Sequence, residues 1–253
     1  MIERFFHPLF SGIFLEDELR TNERMFRFVF RMMSEGDMVL PEEGIAAAPK
    51  QLAQRLGHDR IHLNSTAEIV NDTTLSIDGK ERSFDAIVRA FNANHEHQKR
   101  HVWTLHYAAA SSPLKSKHVL LNGDVKIKNG LIAHLAVPSD IQPSYAPSNQ
   151  SLVTITVVGE RAEAIGLHDA TSVEAAVRTE ASRWFPEAEK NWTLLAAQHI
   201  EHALPEIGSE VNLAQEMRVN GFECGDHTLH GSVEGALRSA ETIAQAVDAH
   251  LRG

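Results

Sequence analysis

The last part of the chain carries the pattern that most restricts the fold: an apolar strand, a glycine, an acid and then a capped helix. The predicted strand ends at Gly225 and is followed directly by Asp226. Ser232 opens a helix over 232–251, whose apolar residues recur at three- and four-residue steps. A strand end and a helix N-terminus in this order favour the binding of an anionic or polyhydroxylated ligand. Taken alone, the same residues are also consistent with an ordinary strand, loop and capped helix.

The rest of the chain alternates between helical periodicity and the two-residue periodicity of strands. Helices are predicted over 16–35, 46–56 and 173–184, the last of them capped by Asp169. Asp78-Gly79 predicts a hairpin. Further strands are predicted over 61–70, 73–77, 84–90, 102–109, 117–122, 130–137, 151–159, 192–199 and 217–224. This mixture predicts an α/β (α+β mixed) fold and argues against an all-β sandwich.

Composition limits the classes of partner. The chain of 253 residues is 43% hydrophobic, which is enough for a sizeable core, and its net charge is −10. We therefore expect no nucleic-acid partner, and no apolar run is long enough for a membrane span. A single cysteine, Cys224, excludes a disulfide framework within the chain. Together with the acidic pI, it predicts a cytoplasmic location.

Several stretches, in chain order, resemble the flavin-dependent amine oxidase and phytoene desaturase-like oxidoreductases. Gly225-Asp226 and Ser232-x-x-Gly235-Ala236 resemble the C-terminal flavin segment of that family. The other matching stretches are Phe10–Leu19, Phe26–Arg31, Leu40-Pro41, Gly44, Pro49–Ala53, Leu63–Glu68, Pro138-Ser139, Pro143–Pro147, Arg183–Phe185 and Ala203–Pro205. The resemblance covers nearly the whole chain.

The resemblance implies an oxidoreductase that holds FAD without a covalent bond and oxidises a small or apolar substrate by hydride transfer to the flavin. Gly225 and Asp226 would lie at the ribityl or pyrophosphate region. The amides near Ser232 and Val233 would face the N1–C2 edge of the flavin, where negative charge grows on reduction. Ala67 would offer backbone groups to the adenine.

The resemblance also implies two interleaved domains. Residues 1–35 and 95–205 would form a mixed-sheet, substrate-type domain. Residues 36–94 and 206–253 would form an incomplete Rossmann-like FAD-binding domain. It is incomplete because the family's Gly-x-Gly-x-x-Gly unit, which supplies the pyrophosphate site, is absent from the sequence, and Gly44 cannot replace it.

Three explanations of that missing unit stay open: a second polypeptide supplies it, the chain is a truncated product, or the lineage lost flavin and kept a non-catalytic binding module. We expect this chain alone to bind FAD weakly or not at all. We also expect self-association or a partner protein, because apolar residues near Ile45, Val88 and Ala236 would otherwise be uncovered. Arg89 departs from the small residues that are usual at this strand end. It either faces solvent or fills space that a cofactor would occupy.

Three histidines are candidate metal ligands. His95, His97 and His101 have a spacing that can converge on a metal, but the polar segment favours a solvated loop, and no metal site is predicted. His227 and His230 flank the proposed flavin site and could tune it.

Overall fold

The computed structural model describes residues 1–92, 100–125, 129–206, 217–218 and 221–253. The chain divides into two compact units. Unit 1 contains Met1–Ala48 and Arg100–Leu204, and unit 2 contains Pro49–Lys99 and Pro205–Gly253. His95 and His97, two of the three histidines considered as metal ligands, lie outside the described residues.

The described residues alternate between helices and strands, which confirms the predicted mixed α/β class. The helices include α1 (His7–Phe14), α2 (Glu23–Glu35), α3 (Ala47–Leu56), α4 (Pro138–Ile141), α5 (Gly159–Ala164), α6 (Ala170–Trp184), α7 (Ala188–Asn191) and α8 (Val233–Arg252). The strands include β1 (Ala67–Asn71), β2 (Thr74–Ile77), β3 (Lys80–Ser83), β4 (Val88–Arg89), β5 (Arg100–Ala109), β6 (Leu120–Leu121), β7 (Ile132–Ala136), β8 (Ser151–Val158), β9 (Thr193–Leu204), β10 (Met217–Arg218) and β11 (Gly221–Glu223). Among these described segments, no helix is both long and apolar enough to cross a bilayer.

The single helix predicted over 16–35 is shorter in the structure. α2 begins after Asn22, whose side chain accepts a hydrogen bond from the amide of Met25 at 3.0 Å. Leu15 and Leu19 adopt positive φ angles of 54° and 49°, which no helix tolerates. The residues between α1 and α2 therefore form a loop. The apolar periodicity did not predict α1, whereas the resemblance implied helix in the stretch Phe10–Leu19.

Unit 1 is built on an antiparallel five-stranded sheet with the order β6-β7-β8-β5-β9. Alternate residues of β5 and β8 point to one face and pack against α6. The buried residues on this face are Trp103, Leu105, Tyr107, Val153, Ile155 and Val157, and the α6 residues in the same core are Val173, Val177 and Ala181. This period-two burial follows directly from the alternating sequence of the two strands.

A buried carboxylate ties α6 to the loop before β7. Glu180 accepts hydrogen bonds from the Asn122 side-chain amide at 2.7 Å and from the backbone amides of Leu131 at 2.7 Å and Ile132 at 3.2 Å. A side chain on Gly130 would collide with this pair, since an added Cβ would meet Asn122 and Glu180. The carboxylate thus satisfies two backbone amides that the interior would otherwise leave unpaired, together with an Asn122 amide that also donates to the carbonyl of Ile132.

Unit 2 contains two small sheets. β1, β2 and β3 form an antiparallel meander, and the predicted hairpin between β2 and β3 is confirmed, with φ angles of 51° at Asp78 and 78° at Gly79. The second sheet has the order β10-β11-β4. β11 runs antiparallel to β10 and parallel to β4, with Phe222 opposite Val88. α8 packs on β11, and the Phe222 ring meets the His250 ring edge-on at 5.7 Å.

Candidate functional site

The loop between β11 and α8 is held firmly against the helix. The amide of Gly225 donates to the Ser239 hydroxyl of α8 at 2.9 Å, and the Thr228 hydroxyl donates to the carbonyl of Gly225 at 2.8 Å. Thr228 and Ser239 are both buried. The strand end, the loop and the first turns of the helix therefore form one rigid piece.

Gly225 has a local reason to be a glycine. Its φ is 148°, and a Cβ there would lie 2.5 Å from the His227 ring. That ring is in turn fixed by Glu223, whose Oε1 lies 3.2 Å from Nε2 of His227. A larger residue at position 225 would displace His227 and open the turn.

Asp226 presents its carboxylate at the carboxyl end of β11, where a parallel sheet binds ligands. Its side chain is 36% exposed, and His227 Nδ1 lies 3.9 Å from Oδ1. Among the described residues, none donates a hydrogen bond to this carboxylate. Asp226 is therefore free to accept a hydrogen bond from a ligand hydroxyl.

At the N-terminus of α8 some backbone amides are already hydrogen-bonded, and others are available to a ligand. The Ser232 hydroxyl accepts from the amide of Gly235 at 3.0 Å and lies 2.9 Å from His230 Nδ1. The amide of Ser232 donates to the carbonyl of His230 at 2.7 Å, so it is already occupied. The amides of Val233 and Glu234 have no acceptor among the described residues, as expected for the first turn of a helix. They can stabilise negative charge on a ligand.

Burial lowers the pKa of His230 below its ordinary value of 6.5, although the nearby carboxylates of Glu234 and Asp226 raise it in part. With this imidazole neutral, the helix terminus and the nearby Arg238 side chain supply the positive potential at this place. The ring then acts as a spacer that holds the Ser232 cap in position.

Gly235 allows the loop to approach α8 closely. A Cβ at this position would collide with the carbonyl of His230. We expect Gly235→Ala to separate loop and helix and to lower the free energy of unfolding of unit 2 by about 1 to 3 kcal/mol, as overpacking does in cores. The measurement is hydrogen exchange of the α8 amides. Glu241→Ala, at an exposed position of the same helix, is the matched control; equal protection in both variants would contradict the prediction.

The structure brings Gly225, Asp226, Ser232 and Val233 together and places Ala67 elsewhere in unit 2. Ala67 opens β1 and pairs with Ile77 in the meander, and no described hydrogen bond joins that sheet to the loop at Asp226. Arg89 lies at the end of β4, half-buried, and its carbonyl accepts from the amide of Cys224 at 2.9 Å.

A second polar surface lies on the face of the unit 1 sheet opposite the core. Thr104 and His106 of β5 lie opposite Thr156 and Thr154 of β8. His106 Nδ1 is 3.1 Å from the Thr154 hydroxyl, and burial lowers the pKa of this histidine. Sequence reasoning missed this surface. The signal was the run of polar residues at even positions in both strands, but only the register shows that they meet.

Of the three histidines that are candidate metal ligands, the structure describes His101. It lies at the start of β5 and not in a solvated loop. Its Nδ1 is 2.8 Å from Nε2 of His199, whose ring stacks on Trp103 with a centroid separation of 4.4 Å. Among the described residues, no group of three or more His, Cys, Asp or Glu side chains could hold a metal ion. The histidine pair here joins β5 to β9.

The half-buried His134 is expected to give unit 1 a pH-dependent stability. Burial lowers the pKa of His134 below 6.5, although hydrogen bonds to the carbonyls of Pro8 and Leu9 raise it in part. The folded state therefore takes up this proton less readily than the unfolded chain, so stability is complete above 6.5 and falls as the pH falls below it. We expect the urea concentration at which half of the protein is unfolded to decrease when the pH is lowered from about 7 to about 5. In His134→Gln this decrease should be smaller.

The control for this pH prediction is His118→Gln, at an exposed histidine of the same unit. It should show the full wild-type decrease. An identical pH dependence in wild type and His134→Gln would mean that His134 does not contribute.

Comparison with known proteins identifies the class of protein. The sequence profile of the flavin-containing amine oxidoreductases matches residues 1–248. The chain belongs to this family. No curated protein sequence matches it significantly.

Solved structures share the fold at low sequence identity. An oxidoreductase from Methanosarcina mazei is 16% identical with a TM-score of 0.70, over 95% of this chain and 64% of that one. A putative protoporphyrinogen oxidase from Exiguobacterium sp. 255-15 is 12% identical with a TM-score of 0.68, over 100% of this chain and 64% of that one. Cyclohexylamine oxidase from Brevibacterium oxydans IH-35A is 14% identical with a TM-score of 0.62, over 83% and 53%. The chain thus spans less than two thirds of the length of these structures.

Proposed function

We propose that this chain acts in a FAD-dependent oxidoreductase that oxidises a small or apolar substrate, with its flavin contacts in the loop between β11 and α8. The observation that carries the proposal is the joint placement, in one rigid segment, of the partly exposed Asp226 carboxylate, to which no described residue donates a hydrogen bond, and the open amides of Val233 and Glu234. The family match supports flavin as the ligand.

The residues of this chain fit such a cofactor in two ways. Asp226 would accept a hydrogen bond from a ribityl or ribose hydroxyl. Gly225 has no side chain, so the ligand could approach the backbone closely at the end of the strand. The amides of Val233 and Glu234 would place the positive end of the α8 dipole against the flavin ring edge that gains negative charge on reduction. When bound, the flavin would accept the hydride that the substrate loses. Ala67 would remain the candidate for backbone contacts to the adenine.

Unit 1 would carry the substrate. Its half-buried polar sheet face, with Thr104, His106, Thr154 and Thr156, offers hydroxyl and imidazole groups on a rigid surface. Such groups orient a small molecule without supplying a nucleophile, which hydride transfer does not need. We assign 1–35 and 95–205 to this substrate-type domain, and 36–94 and 206–253 to the flavin-binding domain.

The test uses the protein purified from its own cells, so that any natural partner is retained. We expect a flavin absorption spectrum, release of FAD on denaturation, and bleaching of the bound flavin when a panel of primary amines, polyenes and porphyrinogens is added without oxygen. If the purified protein contained no flavin, the proposal would be wrong.

A further inference from the structure

The dipeptide Asn-Gly occurs three times in the sequence, at 122–123, 129–130 and 220–221. Asparagine loses its side-chain amide most readily before glycine, because a residue without a side chain leaves its backbone nitrogen unshielded. Asn220 lies outside the described residues. The other two asparagines both lie in the loop before β7, and the structure places them in opposite surroundings.

Asn122 is fixed by its hydrogen bonds in the interior. It is 2% exposed. Its Nδ2 donates to the carbonyl of Ile132 at 2.8 Å and to Oε1 of Glu180 at 2.7 Å, and its Oδ1 accepts from the amide of Asp124 at 3.0 Å. The nitrogen that would have to leave is therefore bound to two acceptors. Deamidation of Asn122 requires this part of the interior to open first.

Asn129 is exposed, and no described residue forms a hydrogen bond with its side chain. Its φ angle of 53° lies in the left-handed region, which asparagine tolerates better than most residues. The amide of Gly130, the group that would attack, has no acceptor among the described residues. Rotation about the Cα–C bond of Asn129 brings the Gly130 nitrogen toward Cγ, and no described hydrogen bond opposes this rotation.

We propose that Asn129 is a site of deamidation and that its conversion to isoaspartate weakens the contacts of the buried Glu180 carboxylate. The Gly130 nitrogen bonds to Cγ of Asn129. The Cγ–Nδ2 bond breaks, and the leaving nitrogen takes up the proton of the Gly130 amide and departs as ammonia. One water molecule then opens the five-membered imide. Water at the side-chain carbonyl gives aspartate, whereas water at the backbone carbonyl gives isoaspartate, in which the main chain continues through the side-chain carbon.

Isoaspartate at position 129 adds one methylene group to the main chain immediately before Gly130. The packing around Gly130 leaves little room for a shift, because a Cβ on this residue would collide with Asn122 and Glu180. The next residue, Leu131, donates its amide to Oε2 of Glu180 at 2.7 Å. A displaced Gly130 therefore strains this bond and the bond between Asn122 and Glu180. Older copies of the chain would be less stable in unit 1 and more open to unfolding and proteolysis.

The experiment is ageing of the purified chain in a mildly alkaline buffer, where the Gly130 amide loses its proton more readily. Peptide mass spectrometry follows the conversion of amide to acid at each Asn-Gly pair, and enzymatic methylation with S-adenosylmethionine quantifies isoaspartate. We expect Asn129 to convert at least about tenfold faster than Asn122, because a buried, bonded side chain reacts only in a rare open state. The control is the same chain in urea, where the two asparagines should convert at similar rates.

Two variants separate the longer main chain from the new charge. Asn129→Gly keeps a residue suited to positive φ and removes the reacting amide, so the urea midpoint of unit 1 should not change on ageing. Asn129→Asp, measured when freshly prepared, carries the charge on a normal main chain and should unfold at the same urea concentration as fresh wild type. Aged wild type that contains isoaspartate should unfold at a lower urea concentration than either variant.

Three results would overturn the proposal. The first is an intact Asn129 in the folded chain after a time in which the unfolded chain has reacted. The second is conversion of Asn122 at the same rate as Asn129 in the folded chain. The third is isoaspartate at position 129 with an unchanged urea midpoint, which would show that the modification does not reach the contacts of Glu180.

Discussion

Glu180→Ala is expected to lower the free energy of unfolding of unit 1 by about 3 to 5 kcal/mol. The substitution leaves the backbone amides of Leu131 and Ile132 without an acceptor in the interior, and it reduces the Asn122 side-chain amide to its bond with the carbonyl of Ile132. Each buried donor left unpaired costs about 1 to 3 kcal/mol, and water that enters the cavity recovers part of this loss. The measurement is urea unfolding, followed by the fluorescence of Trp103, Trp184 and Trp192, which all lie in the same unit.

The matched control is Glu187→Ala, which removes an exposed glutamate just beyond the same helix. It should change the stability by less than about 0.5 kcal/mol, as is usual for surface positions. Glu180→Gln keeps one acceptor oxygen and should lie between the two. If Glu180→Ala and Glu187→Ala unfolded at the same urea concentration, the carboxylate would not hold α6 to the loop before β7.

Local chemistry explains which parts of the fold were predictable. The Asp169 cap of α6 and the hairpin at Asp78-Gly79 depend on residues within three or four positions, and both predictions are confirmed. The loop before α2 was not predicted, because the apolar period continues through it and nothing nearby indicates positive φ at Leu15 and Leu19. Glu180 was missed for a related reason, since its donors lie 48 to 58 positions away in the sequence.

In the candidate site, too, the features that depend on residues close in sequence were predictable and the others were not. Gly225, Asp226 and Ser232 are close in sequence, so their meeting at one strand end and helix start could be predicted. The roles of individual amides could not, because only the fold shows that the amide of Ser232 bonds to His230 and that those of Val233 and Glu234 stay open. The polar face of the unit 1 sheet needed the register of β5 against β8, which no local pattern contains.

Asp226→Asn is expected to weaken FAD binding by about 10- to 100-fold in the protein purified from its own cells. The carboxylate accepts no hydrogen bond within the described structure, so its removal costs little stability and acts on the ligand. A hydrogen bond to a charged acceptor contributes about 1.5 to 3 kcal/mol, and each 1.4 kcal/mol changes an equilibrium about tenfold. The measurement is FAD titration of the flavin-depleted protein, followed by the quenching of flavin fluorescence.

Asp248→Asn is the control for this variant, because Asp248 is an exposed aspartate of α8 that pairs with Arg252 at 2.8 Å. It removes one negative charge from the helix that follows the Asp226 loop and should leave the FAD affinity unchanged. A general effect of net charge would weaken binding in both variants, whereas a direct contact weakens it in Asp226→Asn alone. Equal affinities in wild type and Asp226→Asn, with unfolding also unchanged, would place the flavin away from this loop. The open amides of α8 would then serve a different anion.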